Sequence, residues 1–366
     1  MSRLFVFLTL LMVSFAVCSS QNTAPSQPQP RPADTASAPA SPSSVAARPI
    51  TLDVQVTDKS GSPMRGLQKE DFTLLDDKTP QNIVAFHGWD SATVSNPLAE
   101  LILVIDGINT PESANSTERD EVKKFLLQNG DKLLPWPLSL VLLTQQGPRM
   151  QDTPSRDGKA LLALYDQYQT GWRSANLTNG RYWGAIDRFR ESLNALSSIV
   201  GYEKSRPGRK LIVWLSSGWP LLERENNRFT NKDAQGFFDS ITAFSTQLRE
   251  ARITLYSVDP VGVRNAGTIV NSYYESFLKG VTSAKKSSPA DLGLQVLSIQ
   301  SGGRVFASSN DVAASITECA RDAEAFYALS FPTAKADGPN EYHAIEVRVG
   351  KPGASVRTRT GYYAQP

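Results

Sequence analysis

LILVIDGINT, residues Leu101 to Thr110, decides how the rest of the chain is read. Its first five residues are apolar without alternation and run straight into Asp106, Gly107 and a small polar cluster. A continuous apolar run of this length predicts a strand buried on both faces, the kind found in parallel sheets covered by helices. Three more such runs follow: LSLVLLT at 138–144, KLIVWLS at 210–216 and ITLYSVD at 253–259. Helix signals lie between and after them. Ser116 opens one helix, with Glu118 and Asp120 in its first turn and Gly130 near its close; another follows Asn231, with Phe237, Phe238, Ile241, Phe244 and Leu248 at helical spacing. A third starts at Ser288, with Pro289 in first position, and ends at Gly302 and Gly303. Strands and helices therefore alternate over 97–325, which predicts an α/β domain with a doubly wound, mostly parallel sheet.

Such sheets bind ligands outside the carboxyl ends of their strands. Asp106 follows the first strand; Thr144, Ser216, Ser217 and Asp259 end or follow the other three, and Trp219 comes just after the third. Any one of these polar residues alone reads as a helix cap or a loop anchor. Together they predict a partner-binding rim of Thr144, Ser216, Ser217, Trp219 and Asp259 around Asp106. Trp172, Tyr182 and Trp183, with Arg173, Arg181, Arg188 and Arg190 nearby, read either as an aromatic and basic recognition surface or as cover for the core.

Outside the middle the period changes to two. Ile50, Leu52, Val54 and Val56 alternate with polar residues, as do Ile345, Val347 and Val349 near the other end. Short strands are predicted around Phe72 to Leu75 and Ile83 to Phe86, joined by a turn at Asp76 to Pro80, where the pair Asp76 and Asp77 reads as solvated. Neither end holds enough strands to stand alone, so segments 49–96 and 326–366 are expected to pair into one antiparallel β-sandwich flanking the α/β domain.

The first 19 residues read as a signal peptide: Arg3, then an apolar stretch from Leu4 to Val17, then small residues. The stretch is short for a membrane span. An uncleaved anchor, or a lipid anchor at Cys18, stays open, although Val17 stands where a smaller residue is expected before a lipidated cysteine. Residues 20–48 lack aromatics and are rich in Pro, Ser and Ala, the composition of a disordered tether. Localisation is therefore expected to be periplasmic or extracellular. Once the leader is removed Cys319 stands alone, so no intramolecular disulfide is expected and core packing has to supply the stability.

Charge and motifs narrow the function classes. The net charge of +2, from 38 basic and 36 acidic residues, gives no electrostatic case for a nucleic-acid partner. The two histidines, His87 and His343, fall in the β segments and belong to no HExxH run; no GxSxG elbow, P-loop or GxGxxG string occurs. Cys319 lies in a helix-like stretch, where a lone thiol reads as buried and inert. The expectation is a protein that is not an enzyme, the alternatives being a cell-envelope hydrolase with an unrecognised site or a scaffold of an envelope complex.

LDVQVTDKSGSPMRGLQKEDFTLLDD, LILVIDGINTP, PGRKLIVWLSSGWP, ITLYSVDPVG, SGGRVF, FYALSF and VRTRTGYYA occur in this order along most of the chain. That series resembles von Willebrand factor type A (VWFA)-related domain proteins of the acidobacterial type. The resemblance implies export and a binding or adhesion role toward a protein or glycan partner in the cell envelope. It also implies a divalent cation, Mg²⁺ or Ca²⁺, held through an Asp-x-Ser-x-Ser run, a threonine and a further aspartate. Asp106 and Thr110 match the ends of the run and Asn109 offers an amide oxygen, but Ile108 stands at the first serine and Ser217 at the second aspartate. Thr178 and Ser192 both remain candidates for the threonine position. A set with one carboxylate offsets little of the cost of dehydrating Mg²⁺, so the metal site is expected to be degenerate.

Overall fold

The computed structural model describes residues 49–93, 99–169, 182–222, 230–262 and 273–366. Its strands are β1 (Ile50–Thr57), β2 (Phe72–Asp76), β3 (Thr79–Gln81), β4 (Ala85–Asp90), β5 (Ala99–Asp106), β6 (Leu138–Thr144), β7 (Gly147–Met150), β8 (Arg209–Leu215), β9 (Ile253–Val258), β10 (Val305–Phe306), β11 (Ala325–Phe331), β12 (Glu341–Val349), β13 (Ser355–Arg357) and β14 (Gly361–Ala364). Its α-helices are α1 (Asn115–Leu126), α2 (Gly158–Gln169), α3 (Tyr182–Glu203), α4 (Asn231–Glu250), α5 (Leu294–Gln300) and α6 (Val312–Ala320). No helix among the described residues is long and apolar enough to cross a membrane.

The central sheet runs β10-β9-β8-β5-β6-β7. All its pairings are parallel except β6 with the edge strand β7, which returns by a tight turn. Both faces are dry, which is why the strands read as unbroken apolar runs. Leu101, Leu103 and Ile105 pack with Val122 and Phe125 of α1 and Ile316 of α6. Ile102 and Val104 point the other way, into Leu196 and Ile199 of α3, Ile241 and Phe244 of α4, and Leu297 of α5. The strand order reverses between β5 and β8, because β5 continues to β6 on one side while β8 and β9 build outward on the other. That reversal places a crevice at the carboxyl ends of β5 and β8.

Segments 50–90 and 325–364 form two four-stranded antiparallel sheets, β13-β1-β11-β4 and β14-β12-β2-β3, that share one core. Leu52 and Val54 of β1 meet Leu74 of β2, Val347 of β12 and Tyr362 of β14 there. Strand β1 pairs with β11, Ile50 opposite Phe331, so the two segments complete each other as expected. A buried polar seam joins this sandwich to the α/β layer. The guanidinium of Arg209 donates to Gln55 and to the Asp322 carbonyl, and Asp322 accepts from Tyr256 and twice from Arg357.

Several local expectations change. Thr79, Pro80 and Gln81 form edge strand β3 instead of a turn; Pro80 is tolerated because an edge strand needs fewer N–H donors. The strand expected at Ile83 to Phe86 is β4, displaced to Ala85–Asp90. Asp76 is not solvated: it is buried on β2, against His343. The helix expected from Ser288 to Gly302 is broken at Gly293 into a single 3-10 turn, capped by Ser288 with Asp291, and then α5. Thr230, one residue before the expected start, caps α4 through a reciprocal box with Asp233.

Candidate functional site

The loop after β5 folds back on its own aspartate. Asp106 Oδ1 accepts the backbone N–H groups of Ile108, at 3.1 Å, and Asn109, at 3.0 Å. Its Oδ2 accepts the Asn109 side-chain amide and the Trp214 indole N–H of β8, each at 2.8 Å. Both oxygens of a carboxylate with no solvent exposure are thus filled by four donors from its own chain. Burial pushes the Asp106 carboxyl up, and the bonds from Asn109, Trp214 and Ile108 hold it back.

Asn109 also donates to Ser192 of α3 at 2.8 Å, and Ser192 in turn donates to the Arg188 carbonyl. Of the two candidates for the threonine position, Ser192 therefore meets the loop, while Thr178 lies outside the described residues, as do Trp172, Arg173 and Arg181. Arg190 is exposed and pairs with Asp187 on its own helix, the arrangement of a solvated helix face.

A second acid sits beside this cluster, buried without any cue in its sequence neighbourhood. Glu118 of α1 is 1% exposed. Burial, reinforced by the neighbouring Asp106 charge, pushes its carboxyl up to about 8, against a smaller downward pull from the Thr110 hydroxyl. That hydroxyl lies beside Glu118 short of a well-formed hydrogen bond; Asn109 Oδ1, Thr110 Oγ1 and Glu118 Oε2 are all buried without one. An acidic residue in a first helical turn reads as an exposed dipole partner, and only tertiary packing distinguishes Glu118 from Asp120.

A divalent cation at Asp106 does not fit this arrangement. To ligate directly, the carboxylate would have to give up the Trp214 or Asn109 donor, and Ile108 supplies no oxygen side chain. Asp106 is a structural anchor for the turn.

Of the rim residues, Ser217 and Asp259 meet across the ends of β8 and β9, the Ser217 hydroxyl donating to Asp259 Oδ1 at 3.2 Å. The same oxygen accepts the Val261 N–H and so pins the loop after β9. Ser216 is buried and accepts from the Gly218 N–H, while Gly218 takes the left-handed conformation (φ 99°) that turns the loop outward. Ser217 and Gly218 are the half-buried members of this turn. Trp219 is buried, edge-on to Trp214 with ring centres 5.2 Å apart, and so covers the core instead of presenting a contact surface. Thr144 bonds within the β6–β7 hairpin, to Gln146 and the Gly147 carbonyl, away from the Ser217–Asp259 pair.

Metal-ligating side chains come together elsewhere, in the sandwich. His343 Nδ1 of β12 lies 3.0 Å from Asp76 Oδ1 and 3.3 Å from Asp77 Oδ2. The other oxygens of these carboxylates are held separately: Asp76 Oδ2 accepts the Tyr362 hydroxyl at 2.7 Å, and Asp77 Oδ1 the Ala344 N–H at 2.9 Å. Asp77 and Lys78 both have positive φ, the turn geometry that swings Asp77 back over the β2–β3 hairpin toward β12.

No family model and no curated protein matches the chain. Among solved structures it is similar to the human COPII-coat protein Sec24c (TM-score 0.35, 10% identity, 76% of this chain and 46% of that one). It is also similar to the SpRpn10 VWA domain (TM-score 0.30, 12% identity, 60% and 94%) and the pilus adhesin SpaC of Lactobacillus rhamnosus GG (TM-score 0.36, 11% identity, 80% and 42%). The chain spans less than half the length of Sec24c and of SpaC. Likenesses this distant carry nothing about ligand or activity.

Proposed function

We propose that this is an exported, non-catalytic binding protein that engages a protein or glycan partner of the cell envelope through the loops at the carboxyl ends of β5, β8 and β9, without a metal at Asp106. The observation that supports it best is the Ser217–Asp259 bond, which draws the ends of two neighbouring strands into one rim beside the switch point of the sheet. Open α/β sheets take their ligands at this place. The motif resemblance to type A domains points to the same edge. Asp106, closed by its own donors, fixes the shape of the rim and leaves contact to the half-buried Ser217, Gly218 and their neighbours.

The test is capture from an envelope extract with the full chain and with Ser217→Arg. The arginine side chain would project over the rim from a half-buried position and leave the core untouched. The reading requires a partner captured by the parent and lost, at least 10-fold, in the variant. Equal capture by both proteins, or none by either, rejects it.

A further inference from the structure

We propose that Asp76 Oδ1, Asp77 Oδ2 and His343 Nδ1 form a binding site for one divalent transition-metal cation of the zinc or manganese class, which staples the β2–β3 turn to β12. The three atoms come from the end of β2, the turn that follows it and β12, and lie within 4.8 Å of one another. Ligand atoms held about 2.0–2.2 Å from a common cation sit about 3.0–3.5 Å apart, depending on coordination geometry. The two distances to His343 Nδ1, 3.0 and 3.3 Å, fall in that span.

Charge is the independent reason to expect a cation. The Asp76 side chain is 1% exposed, and a carboxylate so deeply buried needs a paired charge or a metal. Among the described residues the only basic group in ion-pair range of Asp76 is His343, and the same ring nitrogen is the only one within range of Asp77. One Nδ1–H can satisfy one of two converging oxygens, and even a protonated ring leaves two carboxylates in excess by one charge. The ring cannot serve them through its other nitrogen, because Nε2 is buried without a partner.

The flanking bonds are those of oriented ligands. Tyr362 holds the outer oxygen of Asp76 while its ring stacks on the imidazole, with centres 5.1 Å apart, and the Ala344 N–H holds the outer oxygen of Asp77. Groups bound to the back of a ligand in this way fix its direction and raise its affinity. An imidazole beside two carboxylates suits a transition-metal cation such as zinc or manganese better than calcium or magnesium, which prefer all-oxygen shells. The Asp77 side chain is 53% exposed, so the remaining coordination positions open to water on that side.

The experiment uses the full chain without a histidine tag. Zn²⁺ is titrated calorimetrically into the parent, Asp77→Asn and His343→Gln, and Co²⁺ is followed by its visible absorption. The expected result is one Zn²⁺ per chain, a raised melting temperature and a Co²⁺ band in the parent, with affinity reduced at least 10-fold in Asp77→Asn. His343→Gln should abolish binding. If that variant fails to fold, the half-exposed Asp77 position still decides the matter. Absence of saturable binding in the parent, or undiminished affinity in Asp77→Asn, overturns the site. Neither outcome bears on partner capture at the rim, which the Ser217 variant reads separately.

Discussion

Replacing Glu118 by glutamine should stabilise the protein in a way that depends on pH. The side chain is 1% exposed, and burial raises its carboxyl from an ordinary 4.5 to about 8 in the folded state. Between those values the folded chain keeps a proton that the unfolded chain has lost, so unfolding becomes easier as the pH rises. The contribution is fully present below about pH 4.5 and is gone once the pH passes about 8. At 1.36 kcal/mol per pH unit the span corresponds to about 5 kcal/mol, of which relaxation of the folded chain leaves about 2–5 kcal/mol to be measured. Glutamine is neutral throughout and keeps the shape, so its advantage over glutamate should be near zero at pH 5 and grow to its full size by pH 9. Urea denaturation of both proteins at pH 5, 6, 7, 8 and 9 reads this directly. A constant difference across the series would refute the reasoning, because it would mean that Glu118 titrates alike in the folded and unfolded chains.

Four further substitutions probe the frame around the site. Asp106→Asn keeps an oxygen for the Ile108 and Asn109 N–H groups but turns an amide toward the donors of Trp214 and Asn109; a loss of about 2–4 kcal/mol is expected by urea denaturation, unrelieved by added Mg²⁺. Asp322→Ala leaves the half-buried Arg357 guanidinium without its carboxylate and strips the buried Tyr256 hydroxyl of its acceptor, for an expected loss of about 2–4 kcal/mol seen as a lowered melting temperature. Gly303→Ala would drive a methyl into the Leu255 carbonyl oxygen of β9, so a large drop in soluble yield or melting temperature is expected, whereas Gly236→Ala, with open space around it, should be neutral or slightly stabilising.

The sheet was legible because the cause of its sequence pattern is local. Leu101 to Ile105 are apolar on both faces since helices cover both faces of the parallel sheet. Ser288 and Gly302 marked the outer ends of a stretch that folds as a 3-10 turn followed by α5, for equally local reasons, hydrogen bonding and left-handed backbone. The polar interior was hidden because its partners are remote. Asp76 and Asp77 look like any turn pair until β12 brings His343 against them from 267 residues away. Trp214 reads as one more apolar residue of β8, and nothing in KLIVWLS says that its indole N–H closes Asp106. Trp219, four residues beyond β8, reads equally well as a contact or as cover, and only the edge-on packing on Trp214 decides for cover. Edge strand β3 escaped because Thr79, Pro80 and Gln81 have the composition of a turn, and an edge is where a strand can have it.

Asp106 is closed by its own chain, and the proposed rim needs no metal there. Melting temperature in EDTA against Mg²⁺ and Ca²⁺ at millimolar concentrations tests it most directly, measured in the Asp77→Asn background so that the sandwich cluster contributes nothing. No shift is expected beyond that given by matched ionic strength, with or without a further Asp106→Ala change. A saturable rise with Mg²⁺ or Ca²⁺ that disappears with Asp106→Ala would contradict it.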